Sequence, residues 1–106
     1  MPKYMFHGSY TAEGAAGVLK DGGTGREKAV RALVESVGGT FDSIYWALGK
    51  EDFYLTATMP DSHAAVAVSV AVAASGAVRL SSSELLTAAD LDDVVSRRVN
   101  YRAPGG

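Results

Sequence analysis

Residues 40–60 read TFDSIYWALGKEDFYLTATMP, and this stretch decides the fold. Its first part, 40–48, is rich in β-branched and aromatic residues, and its last part, 53–59, alternates apolar with polar side chains. The connecting segment 49–52 is short and polar, so the two parts should form an antiparallel hairpin with one apolar face. Pro60 ends the second strand because proline has no amide hydrogen to donate.

The chain before the hairpin predicts one strand followed by a broken helix. Residues 3–10 are aromatic-rich and indicate a strand, after which Thr11 is placed to cap a helix. We expect that helix to run over 12–20 with Leu19 on its apolar side, and to break at the glycines of 21–23.

The helix is expected to restart behind a capping box and to end at a glycine pair. In the box, Thr24 and Glu27 would each satisfy a free amide of the first turn. Gly38 and Gly39 then allow the left-handed backbone that ends many helices. The apolar stripe of this helix consists of Val30, Leu33, Val34 and Val37.

The segment 62–75 is ambiguous, since its valines alternate as in a strand. We predict a helix, because the segment is long for a strand, rich in alanine, preceded by Asp61 as a cap and followed by Gly76. A fourth strand is expected over 78–85, and a last helix is expected to open at Thr87. The residues expected to face inward from that helix are Leu91, Val94 and Val95.

The order β, α, β, β, α, β with a trailing helix is the split βαβ arrangement. The predicted fold is therefore an α+β domain of the ferredoxin-like kind, with a four-stranded antiparallel sheet covered on one face by two helices. We expect a single domain over residues 1–99 and a flexible tail over 100–106. A domain of this size without a disulfide gains stability by burying a further face, so a homo-oligomer, at least a dimer, is expected.

Composition excludes several classes of function. The 106 residues carry a formal net charge of −2 with acidic and basic residues interleaved, so nucleic acid is not an expected partner. No cysteine is present, which suits a reducing compartment and leads us to expect a cytoplasmic location. The amino terminus has no export signal, and the uncharged run 62–78 is interrupted by serine and glycine, so no membrane span is predicted.

The chain resembles the GYD-domain family, small bacterial proteins of uncharacterised function, over residues 3–95. The residues that carry the resemblance are Gly8, Tyr10, Thr11, Gly38, Gly39, Tyr45, Gly49, Asp52, Pro60, Asp61 and Thr87. Two positions depart from the family pattern, because Glu51 stands where the naming triplet has tyrosine and Thr58 where relatives often have glutamate. The resemblance implies a ferredoxin-like fold whose sheets pair as in dimeric α/β barrels, and it implies no reaction.

The uncovered face of the predicted sheet is the candidate site. Alternation along the third and fourth strands sends Tyr54, Thr56 and Arg79 to this face, while the pattern leaves the faces of His7 and Tyr45 open. The candidate ligand-binding residues are His7, Tyr45, Tyr54, Thr56, Thr58 and Arg79, with Gly49 and Asp52 as motif residues. With a second subunit closing the face, Arg79 would hold a carboxylate or enolate of a small organic anion, and His7 would move a proton.

Simpler interpretations stand beside this one. The simpler interpretation of the face, a half-polar dimer interface, is favoured over a ligand pocket, and Asp52 is more simply a turn residue that bonds backbone amides. The two histidines lack metal-ligand spacing, so we expect neither a metal site nor a cofactor. Three hypotheses follow: a small-molecule-binding or regulatory module, a cofactor-free enzyme acting on a small enolisable or aromatic substrate, and a purely structural partner subunit.

Overall fold

A computed structural model describes residues 1–106 as one four-stranded antiparallel sheet with three helices. The strands are β1 (Lys3–Tyr10), β2 (Thr40–Trp46), β3 (Phe53–Thr58) and β4 (Val78–Leu85). The helices are α1 (Ala12–Ser36), α2 (Ser62–Ala74) and α3 (Ala88–Ser96). The predicted element order is confirmed, and the strand order β2-β3-β1-β4 is compatible with the ferredoxin-like arrangement.

The core lies between one face of the sheet and helices α1 and α2. Phe6 of β1 pairs with Leu55 of β3, and both side chains pack beneath Val34 of α1 and Val68 of α2. The buried apolar residues are Tyr4, Phe6, Val34, Ile44, Phe53, Leu55, Ala57, Met59, Ala65 and Val68. Burial of these side chains is the main force that holds the layers together, and it leaves the other face of the sheet bare.

Helix α1 begins at its predicted cap and bends at the predicted glycines. The Thr11 hydroxyl accepts the backbone N–H of Gly14 at 3.2 Å, and Gly22 has φ 71° and ψ 172°, which interrupts the helical backbone. The predicted capping box at Thr24 is wrong, because the helix resumes directly after Gly22 and the threonine side chain makes no capping bond.

The first piece of α1 faces the body of the molecule through Gly14. A Cβ at Gly14 would overlap the carbonyl oxygen of Ala77, so the helix approaches the start of β4 closely there. Leu19, about 140° around the helix from Gly14, is 89% exposed. The prediction that Leu19 lies on an apolar side is wrong, because the close approach at Gly14 turns Leu19 toward water.

Helix α2 confirms the helical interpretation of the alternating valines. Asp61 caps it by accepting the N–H of Ala64 at 2.9 Å, and Gly76 follows its end with φ 75°. Val68 is buried, whereas Val66 is 57% exposed, so alternation along the sequence does not translate into alternating faces. Capping and alanine content decide this element.

Helix α3 stands apart from the core. A capping box between Thr87 and Asp90 forms as predicted, but Leu91, Val94 and Val95 are all largely exposed, and α3 buries no residue. The prediction that these three face inward is wrong, because α1 and α2 already cover the apolar face of the sheet. The radius of gyration is 16.8 Å, against about 13 Å for a compact domain of this size.

The helices differ in length and polarity, and none of them combines the length and apolar character that crossing a bilayer requires. Residues 97–106 follow α3 outside any helix or strand.

Candidate functional site

The bare face of the sheet carries one row of side chains that crosses all four strands. His7 of β1 pairs with Tyr54 of β3 on one side and with Ser81 of β4 on the other, and Tyr54 pairs with Tyr45 of β2. We call Tyr45, Tyr54, His7 and Ser81 the central row. Phe6 and Gly8, the neighbours of His7 along β1, are buried beneath the helices. Successive side chains of a strand point to opposite faces, so the central row lies on the face of the sheet that the helices leave bare.

All six predicted ligand-binding residues belong to this bare face by register. Thr56 lies one row from Tyr54, Thr58 lies two rows away, and Arg79 of β4 pairs with Ser9 of β1. The register thus places His7 and Tyr45, whose faces the sequence left open, beside Tyr54 on this side of the sheet.

The two threonines are engaged within the sheet. Thr56 shares a hydrogen bond of 2.6 Å with the hydroxyl of Ser43, and Thr58 donates to Asp42 Oδ2 at 2.9 Å. Lys3 Nζ lies 2.7 Å from the same carboxylate oxygen. These hydroxyls hold β2 and β3 together, so they are less available to a ligand than Tyr54 or Arg79.

Asp42 owes its position to an irregularity of β2. The register shifts between Phe41 and Ser43, so Asp42 is left without a paired residue on β3. The Lys3 ammonium beside it and the Thr58 hydroxyl hold the pKa of the Asp42 carboxyl below its ordinary value, although partial desolvation acts the other way. The ion pair between Lys3 and Asp42 lies at one end of the bare face.

A carboxylate that the sequence interpretation missed joins the central row. Glu51 lies in the connection between β2 and β3, and its Oε1 is 3.1 Å from Nδ1 of His7. The side chains of His7 and Glu51 are 21% and 24% exposed. The available signal was the departure from the family triplet at this position, where a tyrosine would offer no carboxylate.

Two rings of the row, those of His7 and Tyr54, lie against each other. The His7 and Tyr54 rings are 6.0 Å apart between centroids and inclined by 24°, which is a stacked arrangement. Tyr45 is 71% exposed although it is a large aromatic side chain. The row therefore offers flat ring surfaces and a histidine nitrogen to whatever covers the sheet.

The connection that carries Glu51 is tied to β1 by its neighbour Asp52. The Asp52 carboxylate accepts the backbone N–H of Tyr10 at 2.9 Å, and the Asp52 N–H donates to the Gly8 carbonyl at 2.8 Å. Gly49, with φ 144°, supplies the backbone conformation of the turn. Asp52 thus positions backbone, as the turn interpretation expects, but the amide it binds belongs to another strand.

Gly8 brings β4 close to β1 beside the row. A Cβ at Gly8 would overlap the carbonyl oxygen of Arg79, so a larger residue would push the two strands apart. The close approach holds Arg79 next to Ser9 and one row from His7. Arg79 is exposed and forms no ion pair, so its guanidinium is available to an anion.

The central row is a surface and not a pocket in the single chain. An apolar gap of about 50 Å³ beside the core lies on the opposite side of the sheet, between α1 and α2. None of the cavities of the chain is lined by a residue of the central row. No group of three or more His, Asp or Glu side chains is arranged to hold a metal ion.

The family model described as the GYD domain matches residues 4–95, nearly the whole chain. No curated protein and no solved structure matches the chain.

Proposed function

This chain belongs to the GYD-domain family, and from that premise we propose that it is a homo-oligomeric module that binds a small molecule over the bare face of its sheet. The central row carries the proposal, since it places two tyrosines, a histidine and a serine in line across four strands. Such a row combines apolar ring surface with a few oriented polar groups, which is the usual composition of small-molecule sites.

A second copy is the cover that this proposal requires. Tyr45 and Tyr54 are 71% and 38% exposed, and nothing in the chain covers them. Packing of two such faces, as in a dimeric α/β barrel, would bury these aromatic side chains and enclose the row. The unpacked helix α3 supports association as well, because Leu91, Val94 and Val95 are exposed apolar side chains on this one short helix.

Light scattering coupled to gel filtration tests the oligomer. Tyr45→Asp would place a charge in the proposed interface, and we expect it to convert the oligomer to a monomer. Leu19→Asp is the matched control, because Leu19 is also highly exposed, at 89%, but lies on α1 away from the bare face. A monomeric wild-type chain at micromolar concentration would exclude the proposal.

Small-molecule binding is tested by calorimetric titration of a panel of small organic carboxylates against the wild-type chain. We expect at least one carboxylate to bind, and Arg79→Ala to weaken its binding, because Arg79 is the unpaired cation of the bare face.

A cytoplasmic location stays a prediction from the absence of cysteine.

The contact between Glu51 and His7 favours a second candidate function, a cofactor-free enzyme acting on a small enolisable or aromatic substrate. A histidine that is oriented by a carboxylate is a common general base. Turnover of enolisable carboxylates, followed by ultraviolet absorbance, would test it. Activity that survives both His7→Ala and Arg79→Ala would exclude this candidate.

A further inference from the structure

The contact between His7 and Glu51 sets which nitrogen of the neutral imidazole carries the proton. A carboxylate can only accept a hydrogen bond, so the proton of a neutral His7 ring belongs on Nδ1, 3.1 Å from Glu51 Oε1. Nε2 then carries the lone pair. Both side chains are at least three-quarters buried, so water competes weakly for this bond.

The chain gives Nε2 no hydrogen-bond partner of its own. The single polar contact of the His7 ring is the one to Glu51, and the ring is flanked by the Tyr54 ring and by Ser81 of β4. Unprotonated Nε2 is therefore a hydrogen-bond acceptor that a donor from outside the chain can use.

Arg79 supplies the opposite chemistry from a neighbouring position on the same face. It lies diagonally from His7 across the β1–β4 pair, since His7 pairs with Ser81 and Ser9 pairs with Arg79. Diagonal neighbours on one face of a sheet are about 7–8 Å apart, which is within reach of long side chains. Side chains that extend from these two positions can reach both ends of a ligand the length of one aromatic ring with a polar group at each end.

We propose that Arg79 and His7 form a two-point site for a small aromatic carboxylate that also carries a phenolic hydroxyl. The guanidinium binds the carboxylate, Nε2 accepts the hydroxyl proton in a hydrogen bond, and the Tyr54 ring lies beside the body of the ligand. Glu51 is a positioning residue that acts through His7. This inference rests on the proposed function and names the class of ligand for the same face.

The probes are 4-hydroxybenzoate, benzoate and phenol, titrated into the full chain and followed by calorimetry. We expect 4-hydroxybenzoate to bind about tenfold more tightly than benzoate, the effect of one hydrogen bond, and phenol to bind more weakly than either. Arg79→Ala should weaken both carboxylates, whereas Arg98→Ala, at an exposed position after α3, should weaken neither.

The tautomer is measured without any ligand. Long-range ¹⁵N–¹H correlation spectra should show the His7 ring protonated on Nδ1 in the wild type. Glu51→Gln keeps the shape of the side chain but can donate as well as accept, so it should mix the two tautomers and reduce the preference for 4-hydroxybenzoate over benzoate. Affinity for benzoate, which does not need Nε2, should remain.

The outcomes separate this inference from the function on which it rests. Equal affinity of the wild type for benzoate and 4-hydroxybenzoate would overturn the two-point site and leave carboxylate binding intact. An unchanged tautomer in Glu51→Gln would overturn the role of Glu51. A wild-type chain that is monomeric at micromolar concentration, or that binds no carboxylate, would overturn the proposed function itself.

Discussion

The carboxylate of Asp52 accepts the backbone N–H of Tyr10 at 2.9 Å, which ties the β2–β3 connection to the end of β1. The neighbouring residue Glu51 reaches His7 from this same connection. Asp52, the aspartate of the family motif, therefore orients the β2–β3 connection, and Glu51 contacts His7. Loss of the Asp52 bond should affect both the stability of the chain and the setting of the histidine.

We expect Asp52→Ala to lower the free energy of unfolding by about 1–3 kcal/mol, because the Tyr10 amide is left without its acceptor. Urea denaturation monitored by circular dichroism measures this. Asp92→Ala is the matched control, since Asp92 is exposed on α3 and makes no hydrogen bond. Equal midpoints for the two variants would contradict the structural role of Asp52.

Gly8→Ala should destabilise the chain by several kcal/mol or prevent folding, because its Cβ would overlap the carbonyl of Arg79. Gly23→Ala provides the contrast, since a Cβ there meets no heavy atom within 4 Å. Alanine is favoured over glycine in a helix by about 0.5–1 kcal/mol, so this variant should unfold at a slightly higher urea concentration. A Gly8→Ala variant as stable as the wild type would show that β1 and β4 can separate at no cost.

The stability of the chain should fall in acid partly through Asp42. The folded-state pKa of this carboxyl lies below its ordinary value, so its contribution is present above the unfolded pKa, about 4, and is lost as the pH falls through the folded value. Asp42→Asn should flatten the decline in the urea midpoint between about pH 5 and pH 3. A decline as steep as that of the wild type would show that the ion pair with Lys3 contributes nothing.

Helix α3 should be dispensable for the stability of the isolated chain. Val95→Asp changes a residue that is 73% exposed, so we expect a change in the free energy of unfolding within about 0.5 kcal/mol at low protein concentration. Phe6→Ala, at a fully buried position, should cost about 3–5 kcal/mol. If α3 contributes to association, Val95→Asp should also reduce the fraction of oligomer measured by light scattering. A large loss of stability in monomeric Val95→Asp would contradict the exposed position of α3.

The elements that sequence predicted correctly are those set by local chemistry. Thr11, Asp61 and Thr87 cap their helices with side chains that bond amides three residues away, and such bonds depend on the neighbouring sequence alone. The alternation of β3 likewise fixed which of its side chains are buried. A short segment of sequence contains all the information that these features need.

The features that sequence missed depend on distant parts of the chain. Glu51 meets His7 because the β2–β3 connection is pinned to β1, which no spacing along the chain reveals. The apolar stripe of α3 predicts that Val94 needs a cover, but it does not say that α1 and α2 leave no room for it. The prediction for Leu19 is wrong for the same reason, since the close approach of Gly14 to Ala77 sets which side of α1 faces water.

The order of strands in the sheet bears on how the chain is made. β1 lies between β3 and β4 in the sheet, and its Lys3 pairs with Leu85 of β4, far along the chain. One of the two neighbouring strands of β1 is therefore missing until β4 has been synthesised. During synthesis on the ribosome, β1 therefore emerges early and keeps one unpaired edge until β4 has followed it. The nascent chain should remain open to chaperones and to mispairing until almost all of the domain has left the exit tunnel.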